Sequence, residues 1–226
     1  MCGRYTLTPS FDELISWYNI NEAGEPFHDP RYNIAPMQMV PAVIHDGKKN
    51  RLGRLRWGLV PSWAKDDMMA SKMINARAET LLEKVSFKSL VYKKRCLIPA
   101  DSFYEWKTLN GKKQPMRFML KSNRMFSFAG LYDSWINPSN GEKVSTCTII
   151  TTSPNSLVAD VHDRMPVIIH RKDEQDWLDR NNTNMNQLTS LLSPYPVEEM
   201  KAYPVSAIVG NVKNDLPECI EEVRQY

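Results

Sequence analysis

An α+β fold is expected of this chain: one domain over residues 1–226, built on a curved or barrel-like, mostly antiparallel β-sheet with peripheral helices. Three features of the sequence predict it. Extended segments recur between Gln38 and Thr151. The turn formers Asp46-Gly47, Asn110-Gly111 and Asn137-Pro138-Ser139-Asn140-Gly141 separate them, and helical periodicity is confined to the flanks.

Taken in order, residues 2–7 alternate enough to form a strand that ties the start of the chain into a sheet. Ser10 followed by Glu13 is a capping-box pattern, and Phe11, Leu14, Ile15 and Tyr18 share one face of the helix it opens. Residues 39–45 and 51–59 flank Asp46-Gly47 and predict a hairpin. Residues 103–107 and 115–121 flank Asn110-Gly111, and residues 126–135 and 144–151 flank the 137–141 turn; each pair predicts another. Helical signals return after Pro154-Asn155, at 173–179, and at Met185, Leu188, Leu191 and Leu192 behind the cap Asn184. No internal repeat, low-complexity tract or linker divides the chain.

A composition of 42% hydrophobic and 24% charged residues is that of an ordinary globular domain. No apolar run approaches the roughly twenty residues that span a bilayer, and the opening residues lack the apolar stretch of a secretory signal. No membrane partner is therefore expected. Cys2, Cys96, Cys147 and Cys219 are scattered, without a C-x-x-C pair or histidines at zinc-ligand spacing, so free thiols, no metal and no cofactor are expected. A net charge of +3 permits an anionic partner without requiring one, because nucleic-acid affinity depends on where the arginines cluster.

Four short segments are dense in reactive or donor groups. Cysteine at position 2 is small enough for methionine aminopeptidase to remove Met1, which leaves a 1,2-aminothiol. Its amine condenses with an aldehyde to an imine, and its thiol closes a five-membered thiazolidine; an α-amino pKa of about 8 leaves a nucleophilic fraction at neutrality. An incidental Cys2 is the alternative. Asn75-Ala76-Arg77-Ala78-Glu79 supplies an amide, a guanidinium and a carboxylate, as a site or as a surface ion-pair cluster. In Phe103-Tyr104-Glu105-Trp106, alternation puts Glu105 on the face of Phe103. There it is either desolvated among rings, with a raised pKa suited to proton transfer, or turned to water on an edge strand. His162-Asp163-Arg164-Met165-Pro166 packs an imidazole, a carboxylate and a guanidinium together, and a single histidine is as readily structural as catalytic.

These segments occur in order with Arg31-Tyr32-Asn33-Ile34-Ala35-Pro36, Arg56-Trp57-Gly58-Leu59-Val60-Pro61-Ser62-Trp63, Arg95-Cys96-Leu97-Ile98-Pro99-Ala100 and Phe128-Ala129-Gly130-Leu131-Tyr132. Together they resemble the SRAP family, the SOS-response-associated peptidase domain proteins also called abasic-site processing proteins. The likeness spans nearly the whole chain and is loose after Arg171.

What the resemblance implies is a thiazolidine crosslink between Cys2 and the ring-opened C1′ aldehyde of an abasic site in single-stranded DNA, with Asn75, Glu105 and His162 lining the site. Arg4, Arg77 and Arg164 lie in the matched motifs and are candidates for phosphate contacts. Trp57, Trp63, Met165 and Pro166 are candidates to stack on bases or wedge between them, the tryptophans having core packing as their alternative. Met1 would be removed by methionine aminopeptidase or by the chain itself, and a cytoplasmic location, on the nucleoid in a bacterium, follows. Two alternatives differ in class: an N-terminal-nucleophile cysteine peptidase, and a non-catalytic single-strand binder.

Overall fold

A computed structural model describes residues 2–22 and 24–223 of the chain. In chain order the regular elements are β1 (Tyr5–Leu7), α1 (Phe11–Tyr18), β2 (Arg31–Ile34), β3 (Met39–His45), β4 (Asn50–Trp57), β5 (Asn75–Arg77), α2 (Val85–Lys93), β6 (Arg95–Ala100), β7 (Ser102–Leu109), β8 (Lys112–Leu120) and β9 (Phe126–Ile136). They continue with β10 (Lys143–Thr152), α3 (Ser156–Ala159), β11 (Met165–Pro166), β12 (Ile168–Ile169), α4 (Glu174–Leu178), α5 (Met185–Ser190) and β13 (Met200–Pro204).

Local chemistry explains the hairpins. The β7–β8 turn places Asn110 and Gly111 at φ 49° and 76°, left-handed values that asparagine and glycine tolerate best. β3 and β4 pair through seven residues from Met39↔Arg56 to His45↔Asn50, and β9 and β10 pair from Ile136↔Lys143 to Gly130↔Ile149. The capping box forms as expected, with Ser10 accepting from the Glu13 amide while the Glu13 carboxylate accepts from the Ser10 amide. Phe11, Leu14 and Tyr18 are the buried face of α1. Asn155 and Asn184 cap α3 and α5 through side-chain oxygens.

Pairing of β10 with β4, β4 with β3, β3 with β6, β6 with β9 and β9 with β10 closes a five-stranded barrel, to which β5, β11 and β12 add. A second sheet runs β13-β8-β7-β1-β2. Most pairings are antiparallel, but β10 runs parallel to β4 and to β5, and these two parallel seams are not signalled by the sequence pattern. One apolar cluster joins the inner faces and includes Cys2, Tyr5, Trp57, Ala76, Phe103 and Met165.

All four cysteines are free and buried. Among the described residues no group of histidine, cysteine and acidic side chains could hold a metal, and no helix is long and apolar enough to cross a membrane. Met1, whose removal the Cys2 chemistry requires, lies outside the described residues.

Candidate active site

β7 realises the alternation read from the sequence. Phe103 packs in the main core, whereas Tyr104 and Trp106 belong to a smaller cluster on the opposite face. Glu105 follows Phe103 inward and is 3% exposed, so the water-facing alternative does not hold. Burial pushes its carboxyl pKa up to about 8, and the nearby charge of Asp163 pushes the same way. Among the described residues its Oε1 is buried without a hydrogen-bond partner.

His162 is held in the short link between α3 and β11, where its amide donates to the Val158 carbonyl at 2.9 Å. Its Nε2 stands 4.0 Å from Glu105 Oε2. Nδ1 meets the Arg164 amide at 3.0 Å and the Arg164 carbonyl oxygen at 3.3 Å, while Nε2 is the atom that faces Glu105. Burial lowers the imidazole pKa, opposed by Asp163, whose Oδ1 is 3.0 Å from Nδ1. At neutral pH the pair is thus a protonated carboxyl beside a neutral imidazole, the reverse of an ion pair.

Cys2 is fully buried, and burial first and the charge of Glu105 second hold its thiol well above the ordinary range, while the Arg4 amide pulls it back by hydrogen bonding. The resting sulfur is a thiol, and it acts as a nucleophile only when its proton is taken up elsewhere. Cys2, Glu105 and His162 therefore form one electrostatically linked group drawn from three distant segments.

Asn75 is brought to β10 by the parallel pairing of β5, opposite Ile149, and its Nδ2 donates to that carbonyl at 3.5 Å. Its Oδ1 is buried and, among the described residues, unpartnered. Arg77 pairs with Thr151 from one side of β10, and Pro166 pairs with Thr151 from the other, so the Asn75 and His162 segments flank one strand end.

The remaining candidates divide. Arg77 is exposed. Arg164 is engaged in a bidentate fork with Glu79, both contacts at 2.8 Å, and donates to the Thr151 carbonyl at 2.7 Å. The ion-pair reading of the 75–79 segment is thus realised by Glu79 with a partner 85 residues away. Arg4 is half-buried and spends its guanidinium inside the protein, donating to Asn33 Oδ1 at 2.8 Å and to the Val209 carbonyl at 2.7 Å, above the Trp106 ring. Trp57 is a correction: the ring is 0% exposed and its Nε1 donates to the Ile74 carbonyl at 2.8 Å, so it presents no face to a base. Met165 and Pro166 are likewise buried, inconsistent with wedging in this conformation. Trp63, 58% exposed, lines a cleft of about 530 Å³ with Met68, Met69, Lys65 and Lys72. Sequence reasoning passed over Met68, Met69 and both lysines, whose only local signal is an apolar Met-Met pair in a stretch of balanced charge, Lys65-Asp66-Asp67 to Lys72.

Comparison with known proteins agrees with this architecture. Residues 1–212 match the family model described as SOS response associated peptidase (SRAP). The chain is 54% identical over 223 residues to the abasic site processing protein YoqW of Bacillus subtilis, covering 98% of this chain and 99% of that one. It is 34% identical over 222 residues to the abasic site processing protein HMCES of Gallus gallus, covering 84% and 66%. A crystal structure of a protein from Bacteroides thetaiotaomicron superposes with a TM-score of 0.87 at 26% identity, over 99% of this chain and 100% of that one. On the match across most of its length, this chain belongs to the SRAP family.

Proposed function

We propose that this protein processes abasic sites, capturing the ring-opened sugar of single-stranded DNA on Cys2 once Met1 has been removed. The α-amine adds to the C1′ aldehyde and expels one water to give an imine. The Cys2 sulfur then adds to the imine carbon, its proton passing to the nitrogen, and a thiazolidine results. The observation that carries this reading is the grouping of buried Cys2 and Glu105 with half-buried His162, which brings an acid and a base to the residue able to offer both amine and thiol.

Each residue has a task suited to its state. Glu105, protonated, donates to the departing hydroxyl of the amine adduct; His162, neutral, exchanges the proton of the sugar ring oxygen as the hemiacetal opens. The amide oxygen of Asn75, unpartnered among the described residues, accepts from the amine or a sugar hydroxyl and holds it in a near-attack geometry. Arg77 and Arg164 contact phosphates and Trp63 stacks on a base, a mode that reads no base edges. The finished ring no longer acidifies the neighbouring carbon as an imine does, so the strand is protected from β-elimination. A peptidase reading rests on the family's name.

The test compares a chain that keeps Met1 with the processed chain and with processed Cys2→Ser, each mixed with an abasic oligonucleotide and scored by mass spectrometry after denaturation. Only the processed parent is expected to give a stable adduct. A Met1-retaining chain holds its Cys2 nitrogen in a resonance-stabilised amide, so an equal yield from it would refute the mechanism.

A further inference from the structure

We infer that the segment from Val205 to Glu222 is a clamp that positions Cys2, acting through Asn33 and Arg4, and that Arg4 serves the reaction as a strut instead of as a phosphate contact. This rests on the reading of Cys2 as the reacting residue.

β1 is only three residues long, and Cys2, Gly3 and Arg4 lie beyond its ladder. Chain ends in that situation fray unless tied down. The ties are on Arg4. Its carbonyl accepts from the Tyr104 amide at 3.0 Å, and its guanidinium grips Asn33 Oδ1 and the Val209 carbonyl from above the Trp106 ring. Only Gly3 separates Arg4 from Cys2.

Asn33 is the hub. Fully buried on β2, it turns its amide nitrogen to the carbonyls of Val209, Asn211 and Asn214 at 3.1, 3.1 and 2.7 Å, while its oxygen takes Arg4. Asp215 locks the same segment to β2, accepting from the amides of Tyr32 and Asn33 at 2.6 and 3.0 Å and from the Arg31 guanidinium. Tyr104, next to Glu105, donates its hydroxyl to Tyr32 and Cys219 carbonyls at 2.8 and 3.2 Å. The segment therefore fastens β2, β7 and the residue two positions from Cys2 to one another. A guanidinium committed in this way reaches no phosphate without breaking those bonds. A displacement of about 1 Å in a reacting group costs up to a hundredfold in rate, so the clamp's effect belongs in the bond-making step.

The experiment uses the processed full chain and an abasic single-stranded oligonucleotide. Arg4→Gln, Asn33→Ala, their double variant and Asp215→Asn are compared for crosslinking rate at saturating DNA, for affinity toward the same oligonucleotide lacking the lesion, and for its salt dependence. Hydrogen exchange at the amides of Gly3, Arg4 and Tyr5 is followed without DNA. Each single variant of Arg4 or Asn33 is expected to slow crosslinking about tenfold or more, with affinity and salt slope retained, and the double variant is expected to lose no more than either single. Asp215→Asn, which keeps the hub intact, is expected to show a smaller loss in rate and faster exchange at the same amides. The clamp is overturned if Arg4→Gln weakens binding and lowers the salt slope by about 0.7 while Asn33→Ala leaves the rate unchanged, the signature of a phosphate contact. Additive losses, or unchanged exchange in Asn33→Ala and Asp215→Asn, overturn it as well. A parent chain that gives no adduct overturns the reading of Cys2 and the clamp's role with it, and the exchange data still report the fastening separately.

Discussion

Glu105 Oε2 and His162 Nε2 face each other at 4.0 Å with the proton on the carboxyl and the imidazole neutral. That spacing exceeds a hydrogen bond, so the two groups are close neighbours and not a bonded pair.

The first expectation concerns pH. The rate of crosslinking rises as the α-amine, with an ordinary pKa of about 8, loses its proton, and falls once Glu105 ionises above its own pKa of about 8. Single-turnover rates are expected to trace a bell with its maximum near 8, and Glu105→Gln a lower curve without the alkaline limb. An alkaline fall that survives in the Gln variant would remove Glu105 as its source.

Stability carries the same signature with a definite sign. The folded pKa of Glu105, about 8, lies above its ordinary value of 4.5, so between these values the unfolded chain releases a proton that the folded chain keeps, and stability declines as pH rises. The cost is absent below 4.5, grows by about 1.4 kcal/mol per pH unit at most, and levels off above 8. Glu105→Gln should therefore gain on the parent between about pH 5 and 8, by an amount on the order of a few kcal/mol in urea unfolding. A constant difference across that range would show that the carboxyl is not desolvated.

Among the arginines, Arg77 and Arg164 should separate. Arg77→Ala is expected to lower the log–log salt slope of single-strand binding by about 0.7. Arg164 must first leave Glu79, a partly exposed fork of the kind worth about 0.2–1 kcal/mol. Glu79→Gln is therefore expected to tighten binding by up to about fivefold, read by fluorescence anisotropy. Weaker binding in that variant would mean that the fork holds Arg164 in its DNA-binding position.

The barrel leaves no room at Gly130. A Cβ there would meet Cys96 Sγ at 2.8 Å, Ile98 Cδ1 at 3.0 Å and the Thr148 carbonyl oxygen at 3.1 Å. Gly130→Ala is expected to cost about 1–3 kcal/mol in denaturant unfolding, and pairing it with Cys96→Ala should recover part of that loss. No recovery would place the conflict on the Thr148 backbone.

Much of this was legible in the sequence where the determinant is local. Asn110-Gly111 tolerates the positive φ that a tight hairpin turn demands, Ser10 and Glu13 cap each other across three residues, and alternation alone set Glu105 on the face of Phe103. The parallel seams of β10 with β4 and β5 were not legible, because a strand's pattern tells which face is buried and not which strand lies beside it. Arg4 escaped for a related reason: a motif arginine looks the same whether it meets a phosphate or a carbonyl 205 residues away. For Trp57 the sequence offered both packing and stacking, and only its position in the barrel decides for packing.

The pairing of Tyr5 with Phe103 also sets a schedule. At about 5–20 residues per second the ribosome makes β2, the first neighbour of β1, within about 2–6 s, whereas β7, its neighbour on the other side, takes roughly a hundred residues and about 5–20 s. Its final fastening to Val209 comes later still. During that interval the chain's start is held on one side at most, and in the finished fold Cys2 is buried. Under the proposed mechanism, removal of Met1 is therefore easiest during synthesis, before the first strand is paired on both sides.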